Sequence, residues 1–178
     1  RLYPSEISVE QTFKSEIKIK FRPTRPSDEE EMRRLFYRFS GDSVYARYLG
    51  HIQAMPHAKT QEYVNIDWNQ VMSIVGVVEH AGKERIIAEA RYIREPVRPF
   101  AEIVFEVDEK YQGIGIATYL YRLLARLAKE RGLKGFTADV LFSNSGMMKV
   151  FKKGRFPIKS KLENGVYHLE ISLEGDVL

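Results

Sequence analysis

The chain has 178 residues, 44% hydrophobic and 29% charged, ordinary usage for one globular domain with a full core and not that of a disordered chain. Its 28 Lys+Arg against 24 Asp+Glu leave a net charge of +4, spread along the chain rather than gathered in a basic stripe, so no nucleic-acid partner is expected. Cysteine is absent, which excludes disulfides, thiolate metal sites and a cysteine nucleophile, and no run approaches the ~18 apolar residues of a membrane span. No cationic leader followed by an apolar stretch is visible, and a cytoplasmic protein without a membrane partner is expected.

The sequence opens at Arg1 without methionine, which suggests a trimmed chain or a piece of a longer polypeptide. Residues 1–15 show little period and carry Pro4, and are expected to form an arm or linker ahead of a single domain over 16–178. Ile17, Ile19 and Phe21 alternate with Lys18, Lys20 and Arg22, the pattern of a half-buried strand. Ser27 stands three residues before Glu30, a capping-box spacing. Met32, Leu35, Phe36 and Phe39 then fall on one helical stripe, and Gly41 is placed to end it. The stretch from Asp42 to Asn69 reads as irregular, with one or two short helices carrying Tyr45, Arg47 and Tyr48.

Two strand-like runs, Met72 to Glu79 and Arg85 to Glu95, flank His80-Ala81-Gly82-Lys83 and predict a hairpin. Ala101 to Val107 is a further strand. Gln112-Gly113-Ile114-Gly115 leads into a long helix with Ile116, Leu120, Leu123, Leu124 and Leu127 on one side, stopped at Gly132. Phe136 to Phe142 reads as a strand, Gly146 to Lys153 as a short helix, and Phe156 to Leu173 as a hairpin around Asn164-Gly165. Strands that cluster in hairpins, with one βαβ crossover between the Ala101 and Phe136 strands, predict an α+β fold: a mixed, mostly antiparallel sheet flanked by helices, ending in a C-terminal hairpin.

The chemistry-bearing stretch is Phe100 to Ala117. Strand alternation puts Ala101, Ile103, Phe105 and Val107 on one face and Glu102, Val104, Glu106 and Asp108 on the other. Carboxylates there imply either a wet cleft or the solvent side of an exposed sheet. A strand that runs through a glycine turn into a helix leaves unpaired backbone N–H groups at the positive end of the helix dipole, a site for phosphate or pyrophosphate. Glycines also simply make turns, and Thr118 stands where a dinucleotide fingerprint has its third glycine. The histidines 51, 57, 80 and 168 show no metal-ligand spacing, and no metal is expected. Trp68 and the tyrosines 45, 48 and 63 read as packing residues.

Gln112-x-x-Gly115-x-Ala117 resembles the pyrophosphate-binding motif of the GNAT N-acetyltransferase superfamily, and Asn144 to Phe156 resembles its second motif. Arg22-Pro23-Thr24-Arg25-Pro26-Ser27-Asp28 and Ser43-Val44-Tyr45-Ala46-Arg47-Tyr48 resemble the opening of one branch, the bacterial protein-lysine acetyltransferase domains fused to acyl-CoA enzymes. The resemblance implies acetyl-CoA, or another short acyl-CoA, as donor. Its pyrophosphate would lie on Gln112, Gly113, Ile114, Gly115, Ile116 and Ala117, its pantetheine between the Ala101 and Phe136 strands beside Asn144, and its thioester oxygen on the Val107 N–H. Arg122, Lys149, Lys152 and Lys153 are candidates for the ribose phosphate.

Glu102, within Phe-Ala-Glu-Ile-Val-Phe, resembles the carboxylate that serves protein-lysine acetylating members as general base, with Glu106 as second candidate. Like charges at Glu106 and Asp108, together with apolar neighbours such as Phe100 and Val104, are expected to raise the Glu102 pKa. Phe151 occupies the position where many members carry a tyrosine acid, so the acid is unassigned. The expected function is acetyl transfer to a protein lysine, with a fused acyl-CoA enzyme as a candidate substrate. The alternatives are acetylation of a small amine and a non-catalytic acyl-CoA sensor.

Overall fold

The computed structural model describes residues 4–38 and 63–174. An eight-stranded sheet in the order β1-β2-β3-β4-β5-β6-β8-β7 is built from β1 Val9–Phe13, β2 Ile17–Pro23, β3 Val71–His80, β4 Lys83–Arg94, β5 Phe100–Val107, β6 Gly135–Leu141, β7 Ile158–Glu163 and β8 Val166–Ser172. The described helices are α1 Glu29–Arg38, α2 Ile116–Glu130 and α3 Ser145–Lys153. Neighbouring strands are antiparallel except β5 and β6, which α2 joins by a parallel crossover. This is the mixed, mostly antiparallel α+β sheet that the hairpin pattern predicts.

The expected arm is corrected at its C-terminal end. Val9–Phe13 pairs with Ile17–Phe21 as the edge of the sheet, and Ile7 is buried in the core. Only Val9 and Phe13 of this strand are partly buried, so its sequence shows little alternation. The start of α1 also differs from expectation. Asp28, not Ser27, closes the turn: its carboxylate accepts the Arg25 N–H at 2.7 Å and a two-pronged bond from Arg22 at 2.8 and 2.9 Å. The β3–β4 turn narrows to Ala81-Gly82, because His80 already faces Lys83. Gly41 and the segment 42–62 lie outside the described residues, and Tyr63 and Val64 are helical.

The sheet carries a core on each face. Met72, Ile74, Ala90, Tyr92, Ala101, Ile103 and Phe105 pack against the Leu120, Leu124 and Leu127 stripe of α2. On the opposite face Met32, Leu35 and Phe36 of α1 pack on Val75, Val77 and Ile86. Central strands apolar on both sides explain the near-continuous hydrophobic run of β3.

The β5–β6 seam depends on Gly135. It lies opposite Phe100, and a Cβ there would stand 2.6 Å from the Ile171 carbonyl oxygen and collide with the Phe100 ring. Gly135→Ala is therefore expected to destabilise the fold by about 2 kcal/mol, measured as a lower urea midpoint. An unchanged midpoint would contradict this packing.

Candidate active site

β5 and β6 pair only over Phe100–Glu102 and Gly135–Thr137. Beyond that vertex they part, while β5 keeps its ladder to β4 and β6 keeps its ladder to β8. The direction of the exposed backbone follows from the register. Glu95 N–H donates to the Phe100 carbonyl and Asp108 N–H to the Ile87 carbonyl, both at 2.8 Å. Ala101 opposite Arg94 and Val107 opposite Ala88 are then the non-hydrogen-bonded pairs of the β4–β5 ladder, so the amides of odd-numbered β5 residues point toward β6. The N–H groups of Phe105 and Val107 accordingly face a gap that no ladder pair bridges. From Glu102 to Val107 this edge runs about 17 Å.

At its far end the edge meets the glycine turn. Gly113 and Gly115 have φ of +81° and +102°, left-handed conformations that glycine adopts without strain. No side chain caps α2, and its first turn carries no acidic residue. Tyr119 N–H is bonded to the Gly115 carbonyl at 3.0 Å, so Ile116, Ala117 and Thr118 lie in the turn whose N–H groups have no acceptor inside the helix. The Gln112 side chain donates to the Val107 carbonyl at 2.9 Å. That bond closes the turn and leaves the Val107 N–H as the group directed into the gap.

A cleft of about 380 Å³ joins these parts, lined by Glu106 and Val107 of β5, Gln112, Gly113 and Gly115 of the turn, and Asn144 before α3. Ile116 and Ala117 also line it, while Ile114 packs against the core. Asn144 caps α3, accepting the Met147 N–H at 3.1 Å. Lys149 and Lys153 reach the cleft, Lys152 is not among its lining residues, and Arg122 donates instead to the Lys153 carbonyl at 3.1 Å. Phe151 is 1% exposed and stacks with Phe105 and Tyr121 at 5.6 and 5.1 Å, giving the cleft an apolar floor with no hydroxyl at that position.

The carboxylates separate by surroundings. Asp108 is held by Arg38 at 2.7 Å. Glu106 is 8% exposed and sits opposite buried Glu89 on β4, which is bonded to Arg91 at 2.7 Å. Glu102 is the last β5 residue paired with β6; it stands at the vertex, outside the residues lining the cleft proper. Its pKa is raised first by burial, then by Asp139 and Glu95. The like charges thus come from β6 and the residue after β4, not from Glu106 and Asp108 as expected, which stand about 13 and 20 Å further along the chain from Glu102. Sequence reasoning missed Asp139, which lines the cleft and is bonded to His168 at 2.7 Å. Its alternation on β6 was the available signal, but the nearness of β6 to Glu102 is tertiary. His51, His57, Tyr45, Arg47 and Tyr48 lie outside the described residues, and among the described residues no cluster of His, Asp or Glu could hold a metal.

A family model described as the acetyltransferase (GNAT) family matches residues 24–155. The chain is 29% identical over 113 residues to an acetyltransferase of Pseudomonas aeruginosa, PA5475, covering 64% of this chain and 61% of that one. It is 29% identical over 133 residues to acetyltransferase Pat of Mycolicibacterium smegmatis, covering 74% of this chain and 39% of that protein. The chain therefore spans less than two thirds of either relative. The crystal structure of the GNAT domain of S. lividans PAT superposes with a TM-score of 0.83 at 26% identity, over 96% of this chain and 99% of that one.

Replacing Asp139 by Asn removes one of the charges that raise the Glu102 pKa. The titration midpoint of Glu102, followed by carboxyl carbon NMR, should then move to lower pH, since a lost like charge favours the ionised form. An unmoved midpoint would contradict this electrostatic picture.

Proposed function

The chain belongs to the acetyltransferase (GNAT) family, and on that premise we propose that it moves an acetyl group from acetyl-CoA to an amine, with a protein lysine as acceptor. The observation that carries the reading is the parting of β5 and β6 into an edge of unpaired amides that ends at an uncapped helix N-terminus. An extended amide-bearing arm can pair with such an edge as an added strand. A pyrophosphate suits the α2 terminus, where N–H groups converge and no carboxylate competes. Other short acyl-CoA donors would make the same backbone contacts.

Direct transfer requires a neutral amine, a proton acceptor and donors for the developing oxyanion. Glu102 is the proposed base: a carboxyl with raised proton affinity lies nearer the amine it must deprotonate. The carboxylates of Glu102, Glu106 and Asp139 also favour approach of a cationic lysine before it gives up its proton. The Val107 N–H is the proposed donor to the thioester oxygen. As the amine nitrogen bonds to the carbonyl carbon, its proton leaves through water toward Glu102, which stands about 17 Å along the edge from Val107, and collapse of the adduct breaks the carbon–sulfur bond. With Phe151 at the floor no protein acid need serve the leaving group, because a thiol pKa near ~8.5 makes the thiolate a tolerable product. Glu106, in the cleft, is the second candidate base.

The lysine assignment draws on the likeness of residues 100–105 to the protein-lysine acetylating branch. A fused acyl-CoA enzyme is the partner that branch suggests. The absence of a hydroxyl at position 151 favours one rival, a sensor that binds acyl-CoA without turnover.

Glu102→Gln should lower the single-turnover rate by ~10²–10⁴ while the calorimetric affinity for acetyl-CoA stays within about twofold, a margin of roughly 0.4 kcal/mol. An unchanged rate would remove Glu102 from the base role and direct attention to Glu106. Acetyl-CoA binding with no thiol release on lysine-bearing proteins would favour the sensor. Gly115→Ala places a Cβ at φ +102° and should weaken acetyl-CoA binding by about tenfold, since the strained turn would shift the amides that hold the anion. Wild-type affinity in that variant would argue against the turn as the phosphate site.

A further inference from the structure

A second cavity, of about 150 Å³, lies at the other end of α2 and is lined by Trp68, Asn69, Gln70, Tyr92, Arg94 and Arg131. The 15 residues of α2 separate it from the glycine turn by about 22 Å. Tyr92 is 2% exposed, and its ring is held against Phe136 at 6.0 Å. Its hydroxyl has no hydrogen-bond partner among the described residues, although the ring lines the cavity. Unlike the Tyr121 hydroxyl, it is not among the fully buried polar atoms left without a partner, so it is a donor open to a ligand in the cavity.

Arg94 and Arg131 line the same cavity as Tyr92. Burial raises the Tyr92 pKa, and Arg131 and then Arg94 oppose the rise, as expected of cations facing the phenol oxygen. Neither arginine has a carboxylate partner among the described residues. Arg94 donates to the Arg131 carbonyl at 2.7 Å, and the Arg131 side chain makes no hydrogen bond or ion pair among them. The acids nearest in sequence are already engaged: Glu95 with Arg98 at 2.9 Å and Glu130 with Arg126 at 3.5 Å. The negative end of α2 would repel an anion, but the Arg94 bond occupies the carbonyl of its last turn. A niche with two uncompensated guanidiniums and an idle phenol donor lacks one component, an acceptor carrying negative charge.

We propose that this cavity binds a small oxyanion, a phosphate or a carboxylate, through Arg94, Arg131 and the Tyr92 hydroxyl. Guanidinium forks match the paired oxygens of either group. The site is independent of the acyl-CoA reading, being remote from the cleft and sharing no residue with it.

Trp68 is the single tryptophan of the chain and stands in the wall of the cavity, so its fluorescence reports occupancy directly. The protein is titrated with sodium phosphate, and separately with sodium acetate, at constant ionic strength set by sodium chloride. A saturable emission change is expected with at least one of them, and which one responds assigns the class. Arg131→Gln should raise the dissociation constant by about tenfold, and Tyr92→Phe by about fivefold, since one loses a charged donor and the other a neutral one. Lys129→Gln, the same charge change two residues away and outside the cavity lining, should leave it unaltered. A non-saturating response to both anions overturns the proposal, as does wild-type affinity in both Arg131→Gln and Tyr92→Phe; the latter keeps the buried ring and serves if the arginine variant does not fold.

Discussion

The cleft depends on the separation of two parallel strands. β5 and β6 are each anchored by a full antiparallel ladder on their outer side, so they can part along their shared edge without either losing its place in the sheet. Phe105 of β5, Tyr121 of α2 and Phe151 of α3 pack edge-on beneath the opening, with centroids 5.1 to 5.8 Å apart. They fill the space that a continued ladder would otherwise close. Backbone amides left without a partner are costly when buried and useful when a ligand supplies the acceptor. The same separation turns a structural weakness into a binding edge, and the glycine turn places a helix terminus at its end.

Charge follows a consistent rule on the α1 face. Three buried acids there are matched by arginines: Asp28 by Arg22, Glu89 by Arg91, Asp108 by Arg38. Glu102 departs from the rule. Exposed at the vertex, it has no cation partner among the described residues and its charged neighbours are acidic, so its carboxyl is held toward its neutral form. A carboxyl that yields its proton reluctantly accepts one readily, which is the property a base at the vertex of the cleft requires. Paired acids build the scaffold, and the unpaired one is available for chemistry.

Much of this was legible in the chain because local signals were strong. The hairpin at Asn164-Gly165, the helical stripe of α2 and the alternation of β5 each follow from period and turn chemistry, and the structure has them. The glycine turn was legible as a helix start preceded by a strand. What could not be read was pairing between distant segments. Val9–Phe13 has no pattern of its own and becomes a strand only because β2 offers it an edge. Asp108 looked like a free charge until Arg38, 70 residues away in sequence, closed on it. The nearness of Asp139 to Glu102 exists only because β6 lies beside β5, and the cavity at Tyr92 brings together β4, the end of α2 and residues 68–70, none of which signals the others.

Amide hydrogen exchange read residue by residue, with and without acetyl-CoA, tests the central claim most directly. New protection is expected at the amides of Phe105 and Val107 and across Gly113 to Thr118, with the β1–β2 ladder unaffected. Exchange at those amides that stays the same when acetyl-CoA is saturating would contradict it.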